Sequence, residues 1–222
     1  MSFLIFIPAR SGSTRLKNKN FKIIKKKKLI EYTIDSAKRL GIKDIFISSD
    51  SSKVKKIIKK NKILKTYKRP NKVSKKNTSM ADTVIHGVKW YKENINTNIK
   101  DIILLQPTFP MRNLSVLKKS IIHYKKKGLE SVTSISKLKI DNSCLLFSKN
   151  LRKYYSNNFN GSAYKIDGNF YICSLKFLYK YKKFSVLNKT KFINSEVKFP
   201  IDIDYKEDFM IVKKIIENAN YR

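Results

Sequence analysis

The chain has 222 residues and a formal net charge of +34 at pH 7, because 50 Lys and Arg face only 16 Asp and Glu. This length suits one α/β domain with a substantial core and is short for two, so we treat residues 1–222 as a single domain. The longest apolar run, residues 3–7, is far below the roughly 20 residues that span a bilayer, and no cationic leader precedes it. Cys144 and Cys173 lack the CxxC spacing of a zinc site. The sequence therefore favours a cytoplasmic protein without membrane insertion.

The positive charge is carried almost entirely by lysine. Of the 50 basic residues 43 are Lys and 7 are Arg, and 29 Ile and 19 Asn accompany them. This composition is typical of an AT-rich genome. The bidentate arginines and interleaved aromatic side chains that read bases are not concentrated anywhere in the chain. We therefore expect no specific nucleic-acid partner, although the charge can draw anionic substrates toward a cleft.

Short apolar, β-rich runs alternate with helical patterns along most of the chain. Strands are predicted at 3–7, 44–48, 63–67 (weakly), 101–105, 131–135, 169–174 and 197–199. Helices are predicted at 29–40, 51–61, 81–93, 116–126, 175–181 and 206–218. Such alternation is the signature of βαβ units that feed a parallel sheet. The sequence therefore predicts a Rossmann-like α/β fold, with a mostly parallel sheet flanked by helices.

The alternation fails between residues 136 and 165, where aromatic residues and asparagines mix without a firm period. A stretch of this length without regular structure is uncommon inside a compact domain, and it is usually functional. We interpret residues 136–165 as an inserted lobe, and as the candidate for a dimerisation or specificity element.

A polar loop rich in Gly, Ser and cations, residues 8–20, follows the first predicted strand. Doubly wound sheets bind ligands at the carboxyl ends of their strands, and such a loop offers N–H groups and charge to a phosphate. It has neither the Walker pattern nor GxGxxG, which disfavours P-loop chemistry and adenine dinucleotides. Taken alone, the loop also fits a basic surface segment.

Three further segments fall at predicted strand ends: Arg69-Pro70, LQPTFPMR (105–112) and IDIDYKEDF (201–209). Together with loop 8–20 they resemble the CMP-sialic acid synthetases, the acylneuraminate cytidylyltransferases, along almost the whole chain. The opening family motif, I-P-A-R-x-G-S-K-x-x-x-x-K-N, is matched at Pro8, Ala9, Arg10, Gly12, Ser13, Lys19 and Asn20. The L-Q-P-T-x-P-x-R and I-D-I-D-x-x-x-D motifs are matched in full.

The resemblance implies a fold of the nucleotide-diphospho-sugar transferase type and a role in cell-surface polysaccharide biosynthesis. The implied reaction transfers CMP from CTP to the anomeric hydroxyl of an acidic 2-keto-3-deoxy sugar, sialic acid or a related nonulosonic acid, with release of pyrophosphate. The resemblance also implies Mg²⁺ and a homodimer that pairs through the lobe.

The same resemblance assigns site residues at the matching positions. The catalytic set is Arg10, Lys19 and Asp204. The nucleotide site is Ala9, Arg10, Ser13, Lys19, Asn20, Arg69 and Ser79. The sugar site is Gln106, Lys165, Asp167 and Tyr171. The magnesium ligands are Asp202 and Asp204, although Asp204 could instead cap the following helix.

Departures from the family pattern bear on the sugar. Thr14-Arg15 replaces the usual Lys-Gly and makes the loop closer to the KDO cytidylyltransferases, whereas the complete Leu-Gln-Pro-Thr motif argues against KDO. Lys165 stands where an arginine that binds the sugar carboxylate is often found, and Asp167-Gly168 stands where Asn-Gly is usual. Sialic, legionaminic and pseudaminic acid all stay open. The alternatives are a KDO cytidylyltransferase, another sugar nucleotidyltransferase and, more remotely, a basic nucleic-acid-binding protein.

Overall fold

The computed structural model describes residues 3–63, 67–75, 77–138, 146–147, 154–155 and 163–218. The strands in chain order are β1 (Phe3–Pro8), β2 (Ile23–Ile24), β3 (Lys27–Lys28), β4 (Ile45–Ser49), β5 (Tyr67–Lys68), β6 (Asp101–Leu104), β7 (Ser131–Lys137), β8 (Leu146–Phe147), β9 (Tyr154–Tyr155), β10 (Tyr164–Ser174) and β11 (Lys191–Asn194). The helices are α1 (Leu29–Lys38), α2 (Lys53–Lys60), α3 (Met80–Asn94), α4 (Leu114–Lys126), α5 (Leu175–Tyr181) and α6 (Lys206–Asn218).

Seven strands form one sheet in the order β11-β7-β10-β6-β1-β4-β5. All of them run parallel except β10, which lies antiparallel between β6 and β7. Every residue of β1 is buried, as a central strand covered by helices on both faces requires. The predicted Rossmann-like fold with a mostly parallel sheet is confirmed.

Helices cover both faces of the sheet. Alternate residues of β1 point to opposite faces: Ile5 joins the apolar cluster under α1, α2 and α4, whereas Phe6 joins the cluster under α3 and α5. A third cluster packs α6 against β2, Leu16 and Ile203. This helix therefore holds loop 8–20 and the IDID segment together over the carboxyl edge of the sheet. Within the described residues, no helix has the length and apolar character needed to cross a bilayer.

Two strand predictions differ from the structure. The strand predicted at 197–199 is wrong, because the last strand is β11, which pairs in parallel with β7. The half-exposed residues of β11 lie at the sheet edge and show no apolar alternation, so the pattern gave no signal. The weak strand predicted at 63–67 lies instead at Tyr67–Lys68, beside the end of β4.

The first half of β10 was also missed, because this strand is irregular. The register with β7 shifts between Ile166 and Tyr171, and Gly168 within that bulge has a φ of +76°. A left-handed backbone of this kind favours glycine and breaks the two-residue period. The sequence pattern therefore marked only residues 169–174, whereas the strand begins at Tyr164.

The segment 136–165 is paired in the main sheet at both ends, since Lys165 lies opposite Ser136. Between these ends the structure describes only β8 and β9, which pair as a short antiparallel ribbon. The rest of the segment lies outside the described residues. The role of this lobe in dimerisation stays a prediction.

Candidate active site

The loops after β1, β5 and β6 line one cavity of about 230 Å³ at the carboxyl edge of the sheet. This edge is where doubly wound sheets bind ligands. The lining residues are Pro8, Arg10, Ser13, Lys19, Asn20, Arg69, Val73, Lys75, Thr78, Met80, Thr83, Gln106, Pro107 and Thr108. The structure therefore brings six residues of the predicted nucleotide, catalytic and sugar sites together: Arg10, Ser13, Lys19, Asn20, Arg69 and Gln106.

Loop 8–20 is fixed by hydrogen bonds at both of its ends. Ser11 donates from its backbone N and its Oγ to the Asp50 carboxylate, at 2.7 and 2.9 Å. Buried Asn20 donates from Nδ2 to the Arg10 carbonyl oxygen at 3.0 Å. Asn20 thus holds the backbone of Arg10, one of the cations of this loop.

Two predicted nucleotide residues do not line the cavity. Ala9 is fully buried, and its carbonyl oxygen accepts a hydrogen bond from Ser49 Oγ at 2.5 Å. Ser79 caps α3: its Oγ accepts from the Asp82 backbone N at 3.0 Å. Both residues stabilise backbone next to the cavity. The sequence-based prediction placed them in contact with the nucleotide, but neither lines the cavity.

Arg69 is a buried cation, with only 4% of its surface exposed. Its Nε donates to Ser48 Oγ at 3.0 Å and its Nη2 to the Ser48 carbonyl oxygen at 2.7 Å. Burial lowers the pKa of this guanidinium, and Asp50 opposes that effect. Arg69, which directly follows β5, is therefore held against the end of β4, whereas the neighbouring Lys68 and Lys72 are exposed.

The two carboxylates of the IDID segment have different surroundings. Asp204 accepts from Lys19 Nζ and Arg15 Nη1, both at 2.8 Å. Partial burial raises its pKa, but Lys19 and then Arg15 outweigh this effect and hold the pKa below its usual value. Asp202 forms no ion pair within the described part of the chain. Loss of hydration raises the pKa of Asp202, and the charges of Asp204 and Asp208 add to the rise.

The structure does not support Asp204 as the cap of α6. Asp208 fills that role, because its Oδ2 accepts from the backbone N of Asp204 at 2.9 Å and from that of Tyr205 at 2.7 Å. The Asp204 carboxylate is directed instead to Lys19 and Arg15 of loop 8–20.

The donor set of this segment fits a magnesium ion that arrives with phosphates. Mg²⁺ prefers oxygen ligands and commonly takes one or two carboxylates plus substrate phosphates. Burial is the main cause of the raised pKa of Asp202, and the negative charge of Asp204 adds to it, so a bound cation would stabilise the charged form of Asp202. Among the described residues, no group of three or more His, Cys, Asp or Glu could hold a metal without help from a ligand.

Arg112, the last residue of LQPTFPMR, joins three elements around the cavity. It donates from Nε to the Asn169 carbonyl oxygen at 2.8 Å, from Nη1 to Thr33 Oγ1 at 3.2 Å and from Nη2 to the Gln106 carbonyl oxygen at 2.6 Å. Burial lowers its pKa to about 9, opposed by Asp202 and Asp167, so Arg112 stays charged at neutral pH. The sequence matched this residue to a motif but gave it no role.

The predicted sugar residues other than Gln106 lie along β10, outside the cavity lining. Asp167 is buried and accepts from Ser134 Oγ at 2.6 Å. Tyr171 is half-buried, and burial raises its pKa to about 12. Lys165 is exposed near the start of the strand. The structure therefore separates the cavity at the carboxyl edge from the predicted sugar residues along β10, with Arg112 between them.

Several buried polar atoms on or beside β7 and β10 have no hydrogen-bond partner in the described part of the chain. These atoms are Thr133 Oγ1, Ser136 Oγ, Asp167 Oδ2, Asn169 Oδ1 and Nδ2, and Ser195 Oγ. A buried polar group left unpaired costs about 1–3 kcal/mol. They lie on or beside β7 and β10, in the part of the sheet where these two strands pair. Except for Asp167, sequence reasoning did not select these residues, since single Ser, Thr and Asn residues carry no motif.

The fold with its cation-rich cavity is that of a nucleotidyltransferase. A CMP:2-keto-3-deoxy-manno-octonic acid synthetase solved in complex with CTP has the same fold, with a TM-score of 0.71 and 17% identity over 98% of this chain and 99% of that one. Residues 4–219 match the model of the Cytidylyltransferase family. The chain belongs to this cytidylyltransferase family, as its motifs predict.

Two relatives extend the comparison to the level of sequence. The CMP-N,N′-diacetyllegionaminic acid synthase of Legionella pneumophila is 28% identical over 232 residues, which cover 98% of this chain and 97% of that protein. The N-acylneuraminate cytidylyltransferase of Streptococcus agalactiae serotype III is 28% identical over 226 residues, which cover 96% of this chain and 52% of that protein. The chain thus spans about half the length of the streptococcal relative.

Proposed function

We propose that this cytidylyltransferase transfers CMP from CTP to the anomeric hydroxyl of an acidic 2-keto-3-deoxy sugar of the nonulosonic type, and releases pyrophosphate. The observation that carries the proposal is the convergence of Arg10, Lys19, Arg69 and Gln106 on one cavity at the carboxyl edge. The names of the legionaminic and neuraminic relatives support an acidic nine-carbon sugar.

The cations of loop 8–20 would hold the triphosphate. Transfer at phosphorus needs in-line alignment and positive charge on the developing oxyanions more than covalent help from the protein. Arg10 and Lys19 would supply that charge, while Ser13 and the loop backbone would donate to phosphate oxygens. Asn20 keeps the backbone of Arg10 in place through its bond to the carbonyl oxygen.

Arg69 would select the base. Its guanidinium is fixed on Ser48 at the cavity wall, so its position does not depend on the ligand. A fixed donor favours the carbonyl oxygen of a cytosine base, which adenine lacks. We therefore expect use of CTP and very little use of ATP.

Asp202 and Asp204 would hold Mg²⁺ together with the triphosphate. The ion, when bound, would neutralise phosphate charge and orient the triphosphate. Lys19 lies at the junction, since it lines the cavity and also donates to Asp204. The carboxylates and the phosphate-binding cations thus form one continuous site.

The sugar would lie against β10, where Gln106, Lys165, Asp167 and Tyr171 would bind it. Lys165 is exposed and Tyr171 is only half-buried on this strand, so both side chains are accessible to a ligand. We also propose a cytoplasmic homodimer in which the lobe at 136–165 reaches the neighbouring subunit. Light scattering at assay concentration would show a monomer if the dimer is wrong.

Pyrophosphate release from CTP and Mg²⁺ tests the function directly. The sugar panel should contain sialic, legionaminic and pseudaminic acid and KDO, each at matched concentration. We expect release with at least one nonulosonic acid and little with KDO. A preference for KDO would support the alternative function suggested by Thr14-Arg15 in loop 8–20. Equal turnover of CTP and ATP would contradict the proposed role of Arg69 in base selection.

A further inference from the structure

Arg15 stands where the resembled family usually has glycine, and the structure gives it a defined partner. Its Nη1 donates to Asp204 Oδ2 at 2.8 Å, across a sequence separation of 189 residues. The guanidinium also lies over the Tyr205 ring, 5.2 Å from the ring centroid. Asp204 and Tyr205, which are consecutive in the chain, therefore both contact the Arg15 guanidinium.

The Asp204 carboxylate has a cation on each of its oxygens. Lys19 Nζ contacts Oδ1 at 2.8 Å and also donates to the Ile203 carbonyl oxygen at 2.6 Å. The Lys19 side chain is only 12% exposed, whereas that of Arg15 is 56% exposed. Lys19 is therefore the fixed partner of Asp204. Arg15 is the exchangeable partner, because an exposed ion pair is weak and its loss is compensated by water.

A divalent cation that uses Asp204 must compete with this pair. The guanidinium and the ion would compete for the Asp204 carboxylate, and their positive charges would repel each other. The ring of Tyr205 offers the guanidinium a second contact through its π face, so Arg15 stays close when it leaves the carboxylate.

We propose that Arg15 is the resident counter-ion of Asp204, which keeps divalent-cation affinity low in the nucleotide-free protein and is exchanged when the metal enters with its phosphates. The inference rests on the proposed function, in that Asp202 and Asp204 are taken as the metal ligands. Arg15 is a positioning residue in this proposal. It makes binding of the metal depend on binding of the nucleotide.

The test uses Mn²⁺ alone as the probe, with free Mn²⁺ measured by electron paramagnetic resonance in the nucleotide-free protein. Arg15→Gln should lower the Kd for Mn²⁺ by about twofold to fivefold, as expected for the loss of one exposed competing ion pair. An unchanged or higher Kd would overturn the inference. Circular dichroism and the midpoint of thermal unfolding verify that each variant is folded.

Lys17→Gln is the matched control. Lys17 is exposed in the same loop and forms no ion pair within the described residues, so this variant removes the same unit of charge without touching Asp204. We expect its Kd for Mn²⁺ to stay near the wild-type value. Equal gains in Lys17→Gln and Arg15→Gln would mean that only long-range charge is involved, and would reject the counter-ion role.

A double variant locates the effect. Combining Arg15→Gln with Asp204→Asn should remove the gain in Mn²⁺ affinity, and a retained gain would place the action of Arg15 elsewhere. If the wild-type protein shows no CTP-dependent Mn²⁺ binding, the proposed metal site and this inference fall together. If CTP-dependent binding is abolished by Asp202→Asn while Arg15→Gln has no effect, this inference alone is overturned.

Discussion

Arg112 Nη2 donates to the Gln106 carbonyl oxygen at 2.6 Å, so the last residue of LQPTFPMR holds the second in place. The same guanidinium reaches the Asn169 carbonyl oxygen in the β10 bulge. The floor of the nucleotide cavity and the proposed sugar side are therefore tied through one side chain.

Arg112→Lys should raise the KM for the sugar more than the KM for CTP. Lysine keeps the charge but cannot donate in three fixed directions, so the Gln106 turn and the bulge lose their common support. We expect the free energy of unfolding to fall by about 1–3 kcal/mol, because a buried carbonyl group loses its donor. Initial rates with each substrate varied in turn measure the effect. A loss of stability with both KM values unchanged would show that Arg112 is only structural.

Arg10→Ala and Lys19→Ala should each lower kcat/KM for CTP by about tenfold to a hundredfold. Each change removes a charge-assisted contact to phosphate of roughly 1.5–3 kcal/mol. Lys72→Ala is the control, because Lys72 is exposed and lies outside the cavity lining. Near-normal kinetics in both test variants would mean that loop 8–20 does not bind the triphosphate.

Asp202→Asn and Asp204→Asn should fold normally and lose most turnover even at raised Mg²⁺, since both remove the charge of an oxygen ligand. Asp208→Ala gives the opposite pattern. It removes the acceptor at the start of α6, so the free energy of unfolding should fall by about 0.5–2 kcal/mol while turnover is kept. Thermal unfolding and pyrophosphate release on the three variants separate the roles. Turnover that survives both Asp→Asn changes would contradict the metal assignment.

Gly87→Ala should destabilise the fold by about 1–3 kcal/mol, because an added Cβ would lie 2.7 Å from a ring carbon of Phe6 and 3.0 Å from one of Phe46. Gly12→Ala is the control for stability, since a Cβ at Gly12 meets nothing within 4 Å. Urea unfolding of the two variants measures the difference. Equal stability would mean that the two aromatic rings move aside without cost.

Cys173 should resist iodoacetamide in the folded protein at pH 8 and react after unfolding. Burial raises the pKa of this thiol from 9.0 to about 12, with Asp101 adding to the rise, and the thiolate is the reactive form. Because the folded pKa lies above the unfolded one, stability from this group is complete below pH 9 and is lost as pH rises toward 12. In a Cys144→Ser variant, mass spectrometry would report labelling of Cys173 alone. Rapid labelling of Cys173 in the native protein would show that the thiol is not buried.

The sequence predicted β1 and β6 because each lies in a short, nearly continuous apolar run, as expected of fully buried strands. It predicted the flanking helices because their buried residues recur with a helical period. It failed at β11, where Phe192 and Ile193 are only half-buried at the sheet edge and no period marks the strand. In the site, motifs identified the residue types on the cavity wall. They could not show that Arg15 meets Asp204, because that contact joins opposite ends of the chain and depends on how α6 packs.

The direction of β10 has a consequence for how substrate preference can diverge among similar chains. An antiparallel strand enters the sheet at the edge where its parallel neighbours leave it, so the insert before β10 rises from the edge that carries the site. Leu138 N donates to the Ala163 carbonyl oxygen at 2.8 Å and closes the base of this insert like the neck of a hairpin. We therefore expect that the chain between residues 138 and 163 can change in length or sequence while β7 and β10 keep their register, and we propose this segment as the place where sugar preference diverges.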